Sequence, residues 1–170
     1  MKYISILILL VLNTCNSDKG KNMMQNFTKN DVIAVSNCPE NGQCTIEILK
    51  NKNLALEEDS IGKLYPKVTD GENIVVKYTF KKENKGNYAD GNTSETIHFE
   101  ITKEAIAELK DKELQKVKLL YGKHFFNRSL AGYYKVVQGS FKPSNKNIDI
   151  DFVVPLIGDL QQVKHITIKL

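Results

Sequence analysis

The chain has no long hydrophobic run. Its longest stretch, residues 3–12, is apolar apart from Ser5 and comes just after the positive Lys2. A helix that crosses a bilayer takes about 20 residues. A run of about ten is too short to span and has the size of a signal-peptide core. Histidine is scarce as well. His98, His124 and His165 are scattered, and each reads as a surface or rim residue rather than a base. There is no G-x-S-x-G, no H-E-x-x-H and no phosphate-loop pattern, so no motif for acyl transfer, zinc proteolysis or nucleotide chemistry. Charge of one sign is not concentrated either. The 24 Lys+Arg and 20 Asp+Glu give a net charge of +4 and are interleaved, as in Lys110-Asp111-Lys112-Glu113. Without a basic stripe carrying interleaved aromatics, nucleic acid is not an expected partner.

The apolar run ends in Leu12-Asn13-Thr14-Cys15. These residues resemble the lipobox of bacterial lipoproteins, which has an aliphatic residue three before the cysteine and small residues just before it. The resemblance implies that residues 1–14 are a lipoprotein signal peptide. Cys15 then takes lipid on sulfur and becomes the mature N-terminus. One acyl chain holds a protein only marginally, and this processing adds three. Residues 15–30 read as a tether from Cys15, polar and unpatterned, and residues 31–170 as a single β-rich domain. The Asn- and Lys-rich composition and Cys15-Asn16-Ser17-Asp18 also resemble small lipoproteins of flavobacteria and their relatives in the Bacteroidota. That resemblance implies a lipid-anchored place in the cell envelope, at the outer membrane, with the membrane as a partner. It implies no activity and no cofactor. Asp59-Ser60-Ile61 resembles the O-glycan acceptor of exported proteins in that group, which makes Ser60 a candidate acceptor.

Cysteine is rare too, at three residues. With Cys15 assigned to lipid, Cys38 and Cys44 remain as an even pair in a compartment where disulfides persist. A disulfide here stabilises by roughly 2 kcal/mol on a chain-entropy estimate. Pro39 and Asn41-Gly42 suit the turn it needs. A zinc site usually has two to four residues between cysteines and needs further ligands. A redox pair is usually Cys-x-x-Cys. Neither pattern is present.

Alternation with period two recurs along the domain. The expected strands are 45–49, 63–68 with Pro66 at an edge, and 73–81 after an Asp70-Gly71 turn. A strand over 95–101 returns after a polar loop over 83–94. Further strands are expected within 115–126, 133–141 and 148–154, and over 164–170. Thr102 reads as an N-cap for one short helix over 103–109. This pattern predicts an all-β fold, a single antiparallel sandwich or barrel of seven or eight strands with one short helix.

Three candidate sites emerge. Phe125, Phe126, Tyr133 and Tyr134 flank one turn and could form a ligand or partner surface. Asp149 and Asp151 share a strand face, where they could hold a metal or act as an acid/base pair. Cys38 and Cys44 are the structural staple. The expected function is that of a non-catalytic binding or structural module of the envelope, with another envelope protein as a candidate partner. The alternative is a carrier of a small apolar ligand in a barrel cavity. A metal-dependent enzyme using Asp149 and Asp151 is the least favoured reading, and neither a catalytic residue nor a metal site is assigned.

Overall fold

A computed structural model describes residues 35–83, 93–102 and 107–169. The expected signal peptide over 1–14, the expected lipidation site Cys15, the expected tether over 15–30, most of the polar loop over 83–94 and residues 103–106 lie outside the described residues. Among the described residues, ten strands form two five-stranded antiparallel sheets packed face to face, which makes the domain a β-sandwich rather than a barrel. The larger sheet contains β2 (Gly42–Glu58), β3 (Leu64–Lys82), β4 (Ser94–Ile101), β6 (Leu120–His124) and β7 (Gly132–Lys135), in the order β2-β3-β4-β6-β7. The smaller has β1 (Val35–Ser36), β5 (Leu109–Lys110), β8 (Gly139–Pro143), β9 (Asn147–Phe152) and β10 (His165–Lys169), in the order β1-β10-β9-β8-β5. The count exceeds seven or eight because β1 and β5 are two residues each.

The core follows from strand parity. Val76, Tyr78, Phe80, Ile97, Phe99, Ile101 and Tyr121 point inward from the larger sheet. Phe141, Ile148, Ile150, Phe152, Ile166 and Ile168 meet them from the smaller one. Phe99 packs edge-on against Phe141 with centroids 5.8 Å apart. Truncating such a ring to alanine costs about 3–5 kcal/mol.

Three local expectations are corrected. The segments 63–68 and 73–81 belong to one strand, β3, with no turn between them. Asp70 sits opposite Lys52 and pairs with it at 2.5 Å. Gly71 is needed for space: a Cβ there would lie 2.1 Å from the Asn53 side chain, which fills that gap beside a bulge between Lys50 and Lys52. The real reversal is at 59–63, where the Asp59 carboxylate accepts from the N–H of Ile61 and of Lys63 at 2.9 and 2.8 Å. The helix expected over 103–109 is also replaced in its described part. Leu109 belongs to β5, and a 3-10 helix comes next at Asp111–Val117, burying Leu114 and Val117. Finally, the strand expected across 133–141 is two strands in different sheets, β7 and β8, because the chain crosses between sheets at 136–138.

β4 pairs with β3 only from Ile74 to Lys81. Residues 52–58 and 64–70 therefore form a two-stranded ribbon with no further strand beside it among the described residues, and Pro66 lies in it as an edge residue. A bare hairpin is marginal in water. This one is fastened at Leu54, which is 1 % exposed. The Leu54 N–H donates to Glu100 Oε2 at 2.6 Å, and its carbonyl accepts from Lys118 Nζ at 2.7 Å. Glu100 faces away from the core, between inward Phe99 and Ile101, so the ribbon lies on the outer face of the larger sheet. That explains why Val75 and Leu120, also outward by parity, are fully buried.

Candidate functional site

The register of the larger sheet sets its outer face in rows. Lys81, Ser94 and His124 form the last row. Thr79, Thr96, Gly122 and Tyr133 form the next, and Lys77, His98 and Leu120 the one after. Gly122 is a cradle. A Cβ there would stand 2.6 Å from the Tyr133 ring, so the missing side chain lets that ring lie across the sheet. The ring meets His124 edge-on at 5.3 Å and His98 at 6.0 Å between centroids. Thr96 Oγ1 is 3.1 Å from His124 Nε2.

Beyond the last row opens a cleft of about 570 Å³, lined by Lys81, Lys82, Thr93, Ser94, His124 and Phe125. The histidines behind it are held in the neutral form. Burial pushes His98 down to about 4, with help from the charge of Lys77 and from His124. Among the described residues His98 Nδ1 is buried without a hydrogen-bond partner, which suits an uncharged ring. His124 is lowered by burial and then by Lys77. Lys77 itself is paired to Glu47 at 2.7 Å. His98, expected at the surface or rim, is 5 % exposed. Parity placed it on the right face, but the sequence did not reveal what covers that face.

Directly beneath the cleft is a buried ion pair. Lys123 and Glu95 are 3 % and 0 % exposed and 2.7 Å apart. Glu95 also accepts from the N–H of Gln162 at 2.9 Å and of Val163 at 2.8 Å. Lys123 also donates to the Leu160 carbonyl at 2.7 Å and stands 5.5 Å from the centre of the Phe125 ring. The Gln161 side chain completes the joint, accepting from Val154 N–H and donating to the carbonyls of Phe152 and Val163. The loop between β9 and β10 is thus tied to β4 and β6, beside the cleft residues Ser94 and His124. Sequence reading missed this pair, although Glu95 shares the inward parity of Ile97 and Phe99, and Lys123 that of Tyr121. Burial, and then the Glu95 charge, keep the Tyr121 phenol protonated.

The expected aromatic surface is divided. Tyr133 points outward to the histidines. Tyr134 points the other way, packs 6.4 Å from Tyr121 and donates to the Leu130 carbonyl at 2.8 Å. Phe125 lines the cleft, and Phe126 stands 73 % exposed. Tyr133 and Tyr134 are neighbours on β7 and so take opposite faces, which means the four do not share one surface. Cys38 and Cys44 are joined by a disulfide, with Cα atoms 5.8 Å apart, in the turn that carries the chain from β1 to β2. Ser60 is exposed at the hairpin tip.

Asp149 and Asp151 lie on the outer face of the smaller sheet. Asp151 Oδ1 is 2.5 Å from His165 Nδ1, and His165 Nε2 is 3.1 Å from Thr167 Oγ1. This line of carboxylate, imidazole and hydroxyl looks like a nucleophilic triad. The placement of the hydrogens opposes that reading. Thr167 donates its one hydroxyl hydrogen to Asp149 Oδ1 at 2.6 Å and accepts from Asn37 Nδ2 at 3.2 Å. Its hydrogen points at a carboxylate instead of a base. Asn147 Nδ2 donates to the other Asp149 oxygen at 2.5 Å. Among the described residues, no three His, Cys, Asp or Glu side chains converge to hold a metal ion.

No protein-family model, curated protein or solved structure matches the chain.

Proposed function

We propose that the chain is a lipid-anchored binding module of the bacterial envelope that acts without catalysis and holds its ligand at the cleft end of the sandwich. The supporting observation is the cleft itself, a concavity of about 570 Å³ that combines an aromatic ring with lysines, hydroxyl-bearing residues and an imidazole at one end of the larger sheet. β1 pairs Val35 with Ile168, near the end of β10, and runs toward the disulfide turn that leads to Gly42. Gly42 is paired with Lys82, a cleft residue. The first described strand therefore lies within a few residues of the row that borders the cleft.

The carrier reading needs a chamber between the sheets. The space between them is occupied by Phe80, Phe99, Tyr121, Phe141 and Phe152, packed among branched aliphatics. The metal-enzyme reading needs free carboxylates, whereas Asp149 and Asp151 are engaged by Asn147, Thr167 and His165.

Metabolic labelling with a fatty acid tests the anchor. The expected outcome is label on the wild-type protein in the membrane fraction and none on Cys15→Ala. An unlabelled wild type, or equal label on both, refutes it.

A further inference from the structure

We propose that the cleft at Lys81, Lys82, Ser94 and His124 is a binding site for an organic oxyanion, whose phosphate or carboxylate lies between the two lysines and whose ring rests on Phe125. Lys81 and Lys82 take opposite faces at the end of β3, and both border one opening together with Thr93 and Ser94. Each ammonium carries three donors and no acceptor, so the set matches a group with several acceptor oxygens. Among the described residues that line the cleft, none carries a carboxylate. Of the acids nearby, Glu95 is engaged by Lys123 and Glu47 by Lys77, and Glu83 follows Lys82 in an exposed position. Phe125 supplies an apolar wall, and its ring is fixed near the buried Lys123 ammonium. A volume of about 570 Å³ falls within the size of ordinary small-molecule pockets.

His124 makes the site proton-linked. The groups around it are Thr96, Tyr133, His98 and Lys77, with Ser94 and Lys81 in its own row and Glu47 paired to Lys77. Burial and then the Lys77 charge push it toward the neutral form. An incoming anion favours the imidazolium. Binding then takes up a proton and tightens as pH falls below neutrality.

The site rests on the binding reading and is independent of the anchor. The test uses the full chain in detergent, titrated by calorimetry and by amide chemical shifts with glucose 6-phosphate, glucuronate and glucose. Both anions are expected to bind at least tenfold more tightly than glucose and to move the amides of Lys81, Lys82, Ser94 and His124. The double variant Lys81→Glu, Lys82→Glu, both at exposed positions, should lose at least tenfold in affinity with an unchanged thermal midpoint. Glucuronate, whose own acid does not titrate in this range, should bind several-fold more tightly at pH 5.5 than at pH 7.5. His124→Gln should flatten that dependence. Equal binding of glucose, an unaffected double variant, shifts confined to other residues or a flat pH profile in the wild type overturns the proposal. Anion binding with no lipid on Cys15 leaves the site standing and removes the anchor. Lipid on Cys15 with no anion binding does the reverse.

Discussion

β4 carries two Glu–Lys clamps, one on each face. Glu95 points inward and, with Lys123, holds the loop between β9 and β10 through Leu160, Gln162 and Val163. Glu100 points outward and, with Lys118, holds the ribbon at Leu54. In both, the carboxylate takes backbone N–H groups while the ammonium takes a carbonyl. The surroundings differ. The inner pair is sealed, whereas Lys118 is 37 % exposed. The same chemistry therefore fixes one segment permanently and fastens the other in a way that water can compete with.

The two clamps should part most sharply at Lys123. Lys123→Met leaves the Glu95 charge buried and unpaired, and should cost about 3–5 kcal/mol in urea unfolding. The next largest effect comes from acid on the outer face. His98 has a folded value of about 4 against an ordinary value of 6.5, so the unfolded chain takes the proton first. Stability from this residue is complete above pH 6.5. It falls as pH drops toward 4, by up to about 3 kcal/mol at roughly 1.4 kcal/mol per unit. His98→Phe should flatten the acid limb of an unfolding-against-pH curve, and an unchanged limb would contradict the assignment. Lys118→Met should cost less, about 1–2 kcal/mol, because a partly wet pair is worth less than a sealed one. Its signature is local, with faster hydrogen exchange at the Leu54 amide and no change at Val163. The smallest effect is expected at Lys52→Ala, which removes an ion pair whose Asp70 side chain is 94 % exposed. Unfolding should be unchanged within error.

Much of the sandwich was legible because parity is a physical constraint. β4, β9 and β10 read correctly from alternation alone, since one face of each must meet a core. The errors came where a local signal met a stronger distant one. Asp70-Gly71 has the chemistry of a turn, yet pairing with Lys52 and the Asn53 side chain kept β3 extended through it. The aromatic cluster failed for the opposite reason, because adjacency in sequence hides the face that each ring takes. The inward parity of Glu95 and Lys123 was available and went unused, since a charge in a core strand is noticed only when its partner is. The cleft itself was not legible. It depends on the register that sets Lys81, Ser94 and His124 in one row, and pairing register is a property of three strands together.

Among the described residues, the first strand of the domain pairs only with the last. Val35–Ser36 adds to β10, while β2, β3 and β4 can zip together as successive neighbours. Joining segments so far apart in the chain carries the largest loop-closure entropy in the sandwich. In a chain delivered N-terminus first, the larger sheet and the β5-β8-β9 part of the smaller one can assemble early, but β1 must wait for His165–Lys169. The disulfide then works as a placeholder in time. It keeps β1 beside β2 until β10 arrives.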